Sequence, residues 1–473
     1  MVFSSLIFLY FFLPLNLLLY YISGNLFYRN VLLTLFSFFF YAWGEPVWII
    51  LLLFSALFDY GNGIWIESLN NKAKAKWVVV FSVIVNLGLL VAFKYSGFIY
   101  DNLSLIFNLP FDKPTVTLPI GISFYTFQTI SYTVDVYRGD VKAQRNPMNF
   151  LLFVSLYHQL VAGPIVRYKT IADEINGRKF QWDDFSSGIG RFCMGLFKKI
   201  VIANSAGELV DSYLINQFDL LNSATAWFGL TMFAIQIYFD FSGYSDMAIG
   251  LGKMFGFHYD ENFKNPYAAN SITDFWRRWH ISLSSWLRDY LYISLGGNRK
   301  GKFRTYVNLF LTMLLGGLWH GAAIRFVIWG ALHGLALIIH KLFISIFKFK
   351  IHNVFARGSL NILSWVLTFH FVCFCWIFFR ADTMQTVGQV LNQIAFAFNG
   401  QIFIEFVEGY PVVLTLLCLG FIFHFTPLSF EHSMEKILTR SNFLVQALIL
   451  VLVIILVVQF RSSDIQPFIY FQF

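Results

Sequence analysis

The chain is 473 residues long, 57% hydrophobic and only 13% charged, with a mean hydropathy of +0.62. An ordinary soluble domain is about 25% charged, so a water-soluble globule is excluded. The net charge of +8 comes from 34 basic and 26 acidic residues. Its basic residues crowd into short loops between apolar runs, the pattern of membrane topology rather than of a nucleic-acid-binding face.

Uncharged runs long enough to cross roughly 30 Å of hydrocarbon, about 20 residues each, recur at Phe3–Ile22, Thr115–Val134, Leu360–Phe379 and Phe443–Phe460. The first carries no basic leader and ends in Tyr20-Tyr21 without a small-residue cleavage site, so it is expected to be a retained span. Val31 to Ile66 is too long for one helix. Gly44-Glu45-Pro46 interrupts it and predicts a hairpin of two spans. Spans near 77–97 and 115–135 follow. Arg29, the lysines at 72, 74 and 76, and Arg138, Lys142 and Arg145 then fall on one side. By the positive-inside bias that side is cytoplasmic and the N-terminus extracytoplasmic.

The middle is less regular. Residues 148–165 are apolar but hold His158, Gln159, Gly163 and Pro164. Gly188 to Asn204 carries Arg191, Lys198 and Lys199 and suits an interfacial or partly buried helix. Asp240 and Asp246 lie in the apolar run from Ala226, where a carboxylate must face protein or a wet cavity; both are read as structural. Residues 262–304 are the only substantial polar stretch, with seven arginines and lysines from Arg277 to Arg304. Apolar runs resume to Phe460. The expectation is an all-α polytopic membrane protein with roughly ten to twelve crossings, one membrane domain over 1–473, and no internal repeat of the kind an inverted-repeat transporter would show. The four cysteines form no disulfide framework, and no Cys/His spacing predicts a metal site.

Two stretches carry chemistry. The near-chargeless run NLFLTMLLGGLWHGAAIRFVIWGALHG holds His320 and His333. Histidine takes and returns a proton near neutrality, and Gly316, Gly317 and Gly321 would leave room for a substrate. On one continuous helix, thirteen residues turn the two histidines apart by about 220°, so a paired site requires the helix to break. The second stretch is SITDFWRRWHISLSSWLRDYLYISLGGNRKG at 271–301. There Asp274 with Arg278, and Trp276 with His280, are spaced to share a helix face. Arg277, Arg278, Arg288 and Lys300 suit an anionic donor, with His280 turned toward the site.

The strings FYAWGEP (40–46), ISFYTFQTISYTVDVYRG (122–139), LVAGPIVRY (160–168), FDFSGYSDMAIGLG (239–252), FWRRWHISLSSWLRDYLYISLGGNRKG (275–301), GGLWHGA (316–322) and FHFVCFCWIFFRA (369–381) closely resemble the membrane-bound O-acyltransferase family, within it the branch serving bacterial alginate O-acetylation. The resemblance covers about residues 30–381; 382–473 match in apolar character only, as additional C-terminal helices. Ser294 stands where that branch would carry proline. The resemblance implies helices around a central tunnel, with His320 as the intramembrane catalytic histidine and His280 as the second, more cytoplasmic one. It places Arg277, Arg278, Arg288, Tyr290 and Trp319 as candidates for donor binding or the tunnel wall.

What it implies chemically is transfer of an acetyl or other acyl group from a cytoplasmic thioester, acetyl-CoA or an acyl carrier, with no bound cofactor. The acceptor would be an extracytoplasmic polysaccharide or a secreted, esterase-like partner. The setting is a bacterial plasma membrane among its lipids. Two rivals remain: D-alanyl transfer from a carrier protein toward teichoic acid, and a polysaccharide exporter without chemistry.

Overall fold

A computed structural model describes residues 1–107, 109, 112–161, 163–211, 223–347, 353–409, 411–459 and 468. Ala162 of the LVAGPIVRY string and Phe460 at the end of the last apolar run lie outside them. Every regular element among the described residues is helical. Four helices are long and apolar enough to cross a membrane: Ile49–Ser68, the continuous Lys72–Ser104, Ile324–Ile346 and Val354–Arg380. Large apolar side chains point outward from such helices and from their shorter neighbours. Phe11, Ile22, Trp77 and Ile339 are each more than 60% exposed, a surface that hydrocarbon tolerates and water does not. The protein is an all-α membrane protein.

The helices gather into two compact units. One is built mainly from residues 1–193 and 244–260, the other from 194–243 and 261–469.

In the first unit, helices Leu26–Ala42 and Ile49–Ser68 form the hairpin that Gly44-Glu45-Pro46 predicts. Asn25 and Asn71 cap the helices that follow them, each accepting from a first-turn backbone N–H. The helix Ile122–Arg138 buries every residue except Val134, Tyr137 and Arg138. It is shorter than the apolar run from Thr115, because the chain before Ile122 is irregular and the helix starts only at Gly121, with φ +77°. A Cβ there would lie 2.8 Å from the Leu160 carbonyl oxygen, so glycine is required. Around Asp59 the interior is polar. One carboxylate oxygen accepts from Asn62 Nδ2 at 3.1 Å and Ser82 Oγ at 2.6 Å, and the other from Asn86 Nδ2 at 2.7 Å. Asp246 is held by Arg191 at 2.7 Å, a structural ion pair as expected of a carboxylate at that depth.

In the second unit Asp240 meets Lys199 at 2.6 Å, also a structural pair. Arg191 lies on the helix Trp182–Phe197, and Lys199 in the π-turn Lys198–Ala203. Two of the interspersed basic residues, Arg191 and Lys199, thus meet the buried carboxylates.

Candidate functional site

The second unit positions the sequence-predicted residues. His320 is the last residue of helix Gly301–His320, and the chain then turns extended at Gly321 (φ −164°, ψ 152°) before helix Ile324–Ile346. The two helices are an antiparallel pair whose backbones come very close. A Cβ on Gly317 would lie 2.3 Å from the Phe326 carbonyl oxygen and 2.9 Å from Gly330 Cα, and one on Gly330 would lie 2.4 Å from the Met313 carbonyl oxygen. A Cβ on Gly321 would strike the Phe326 ring at 2.0 Å. These glycines therefore serve the helix pairing, not an open space for substrate.

The break changes the relation of the two histidines. The single continuous helix assumed for this run does not form, so the 220° separation does not apply. Trp329 now lies between them, with its ring centroid 5.1 Å from His320 and 4.7 Å from His333. His320, 5% exposed, also meets Phe379 at 5.2 Å and Trp319 at 5.1 Å, all edge-on.

His280 departs from the expected pairing too. Helix Ile272–Arg278 stops two residues before it, and His280 takes a left-handed conformation (φ 43°, ψ 56°) ahead of helix Ile281–Trp286. It therefore does not share a helix face with Trp276. Its ring packs edge-on against Phe241 at 4.6 Å and sits 6.3 Å from Trp319. Trp319 is thus a neighbour of both His280 and His320. The backbone break that sequence periodicity could not foresee brings the two candidate histidines onto one indole.

Hydrogen bonds assign the ring nitrogens. Asn262 Oδ1 accepts from the Ser282 backbone N–H at 3.2 Å and from Ser282 Oγ at 2.9 Å. A backbone N–H can only donate, so the Asn262 atom is the carbonyl oxygen. His280 Nδ1, 3.1 Å from it, must donate. The neutral ring then keeps its basic lone pair on Nε2. For His333 the logic runs the other way. The Trp276 indole N–H can only donate, so His333 Nδ1 accepts it at 3.3 Å. His424 Nε2 likewise accepts from the Tyr267 backbone N–H at 3.1 Å. The basic nitrogens of His333 and His424 are thereby spent on holding the fold.

The basic stretch is divided. Arg278 is paired with Asp274 at 2.9 Å, as its spacing predicts, and Arg288 with the adjacent Asp289 at 2.6 Å. Arg277 is exposed. Tyr290 is buried, its ring 5.1 Å from Trp286, and Trp319 is 5% exposed. Asn262, Trp329 and Phe379 were not singled out from the sequence. Arg325, the one charge inside the apolar run, was an available signal of the break: it donates to the Phe379 carbonyl at 2.8 Å just after the turn. Among the described residues no group of three or more His, Cys, Asp or Glu side chains could hold a metal ion.

The profile of the MBOAT, membrane-bound O-acyltransferase family matches residues 141–381, which include His280, Trp319 and His320. The chain is 48% identical to a probable alginate O-acetylase of Pseudomonas aeruginosa over 82% of this chain and 74% of that one. The chain belongs to the membrane-bound O-acyltransferase family. It is also 36% identical to a peptidoglycan O-acetyltransferase of Helicobacter pylori, over 83% of this chain and 79% of the relative. A teichoic acid D-alanyltransferase of Bacillus subtilis is more distant, 31% identical over 54% of this chain and 67% of its own. As a membrane-bound O-acyltransferase, the protein is an enzyme that uses an acyl donor as substrate.

Proposed function

We propose that this O-acyltransferase moves an acetyl group from a cytoplasmic thioester, acetyl-CoA or an acyl carrier, to hydroxyls of an extracytoplasmic polysaccharide or to a secreted esterase-like partner that completes O-acetylation. Support comes from the O-acetylating relatives, which match most of the chain, whereas the D-alanyl-transferring one matches about half. The observation that carries the site assignment is Trp319 lying against both His280 and His320. His320 is the general base. It takes the acceptor hydroxyl's proton as the oxygen attacks the thioester carbonyl, and returns it to the leaving thiolate. Its place at a helix C-terminus stabilises the imidazolium formed on the way. Aromatic rings on three sides exclude water, so the acyl group meets the acceptor rather than hydrolysing. His280, its Nε2 basic and its Nδ1 anchored on Asn262, is the second catalytic histidine. Arg277 offers its charge to the anionic donor more freely than Arg278 and Arg288, whose carboxylate partners already neutralise them. Tyr290 and Trp319 serve as walls.

The apolar runs along the chain support one membrane domain over 1–473 in a bacterial plasma membrane, and the basic loops support an N-terminus outside. The purified full chain in lipid nanodiscs should consume an acetyl thioester and release the thiol when given a polysaccharide or partner acceptor. Transfer of D-alanyl but not acetyl groups would favour the teichoic-acid reading. No thioester turnover, together with polymer trapped inside a deletion strain, would establish the exporter instead.

A further inference from the structure

Within the first unit lies a small, partly open cavity that the acyl-transfer reading does not use. Tyr20, Tyr21, Arg29, Arg178, Lys253 and Phe180 are among its lining, as are Lys179 and Asp184. Four basic side chains thus face one carboxylate, and Asp184 is already turned to His258 at 3.2 Å. Arg178 is the fixed element. It is 8% exposed, and its three nitrogens donate to the Tyr20 hydroxyl (3.1 Å), the Glu174 carbonyl (3.0 Å) and the Asn30 side-chain oxygen (2.6 Å). Among the described residues it meets no carboxylate, so a buried positive charge is held by neutral partners. Burying a charge in this way is costly unless an anion completes it. Arg29 uses only Nε, donating to the Ser23 carbonyl at 2.8 Å, with its guanidinium stacked over Tyr20 at 4.8 Å. Its two terminal nitrogens, and the Lys179 ammonium, have no partner among the described residues. Tyr20 and Tyr21 are tied down through their hydroxyls to the Phe255 and Met254 carbonyls, and Lys253 donates to Ser187 Oγ at 2.7 Å. The walls are rigid, and the unused donors belong to Arg29 and Lys179.

We propose that this cavity is a binding site for the phosphate headgroup of an anionic membrane lipid. The surroundings favour a lipid over a soluble phosphate ester. Leu18, Ile22 and Phe27, on the helices that supply Tyr20 and Arg29, are each at least 64% exposed, and Phe180 and Trp182 about half exposed. Such an aromatic and aliphatic collar is what a basic site needs to hold an acyl chain beside its phosphate. Arg29, near the start of helix Leu26–Ala42, also lies on the side read as cytoplasmic, where anionic lipids concentrate.

The test uses the full-length protein in phosphatidylcholine nanodiscs with or without phosphatidylglycerol, reading retained lipid by native mass spectrometry. The wild type should retain phosphatidylglycerol in preference to phosphatidylcholine. Arg29→Gln with Lys179→Gln should weaken that preference by about fivefold per side chain, about 25-fold for the pair, while Arg29→Lys with Lys179→Arg keeps most of it. Lys179→Gln alone, at an exposed loop position, carries the test if the pair melts early in phosphatidylcholine. Equal retention of both lipids by the wild type, or an unchanged preference in the neutral variants, would overturn the proposal. So would a loss of acetyl-CoA binding in those variants with lipid preference intact, which would assign the cavity to the donor.

Discussion

The buried polar cluster around Asp59 and the histidine cluster around Trp319 meet the cost of burial in opposite ways. Asp59 in the first unit is enclosed by side chains that all donate to it, from Asn62, Ser82 and Asn86 on its own and a neighbouring helix. His320 in the second unit is enclosed by the edges and faces of Trp319, Trp329 and Phe379. A carboxyl group met by donors on both oxygens is fixed in place and serves the fold. The His320 imidazole is held in position by the packing of those rings. Titratable groups at membrane depth are functional candidates by default, and the proposed roles divide along this contrast, Asp59 for the fold and His320 for the chemistry.

The contrast can be broken most forcefully at Asp59. Asp59→Ala should strand three donors, each costing about 1–3 kcal/mol, and lower Tm in nanodiscs while turnover per folded molecule stays near normal. A large loss of turnover at unchanged Tm would show that Asp59 is not the structural member of the pair. Next in size is Gly317→Ala, whose new Cβ meets the Phe326 carbonyl backbone. It should cost about 1–3 kcal/mol and, by moving His320 against Trp329, lower turnover as well. Gly316→Ala meets only the Leu287 Cδ1 methyl at 3.0 Å and should be milder on both counts. Trp276→Phe removes the donor to His333 Nδ1 and should cost about 1 kcal/mol with little kinetic effect, which a melting curve beside a turnover assay would check.

The smallest effect is a pH dependence at His258, which lies outside the spans and half-exposed between Glu174 and Asp184. Burial alone would lower its pKa, but hydrogen bonds and charge from Glu174 and then Asp184 prevail and raise it above 6.5. A raised folded pKa means stabilisation present below pH 6.5 and lost as pH rises through the higher folded value. His258→Gln should therefore lower Tm slightly at pH 6 and make no difference well above neutrality. A deficit that instead grows with pH would reverse the sign.

The membrane class, the 44–46 hairpin and the Asp274–Arg278 pair were legible in the sequence, because each depends on local pattern. His280 and His320 were the candidates that the sequence motifs named. Their meeting at Trp319 was not legible. It depends on a helix break at Gly321 that apolar periodicity does not signal, and on Gly317 and Gly330 allowing two backbones to touch. The tautomer of His280 was equally hidden, because it is set by Asn262, eighteen residues away in sequence. Long-range contact, rather than composition, made the histidine cluster.

The most direct measurement compares single-turnover thiol release from an acetyl thioester by the wild type, His320→Ala and His333→Ala, each purified in nanodiscs at matched folded amount. If His320 is the general base, His320→Ala should slow transfer by about 10²–10⁴-fold, while His333→Ala, whose basic nitrogen only holds Trp276, keeps most of the rate. Transfer by folded His320→Ala at near the wild-type rate would contradict the assignment.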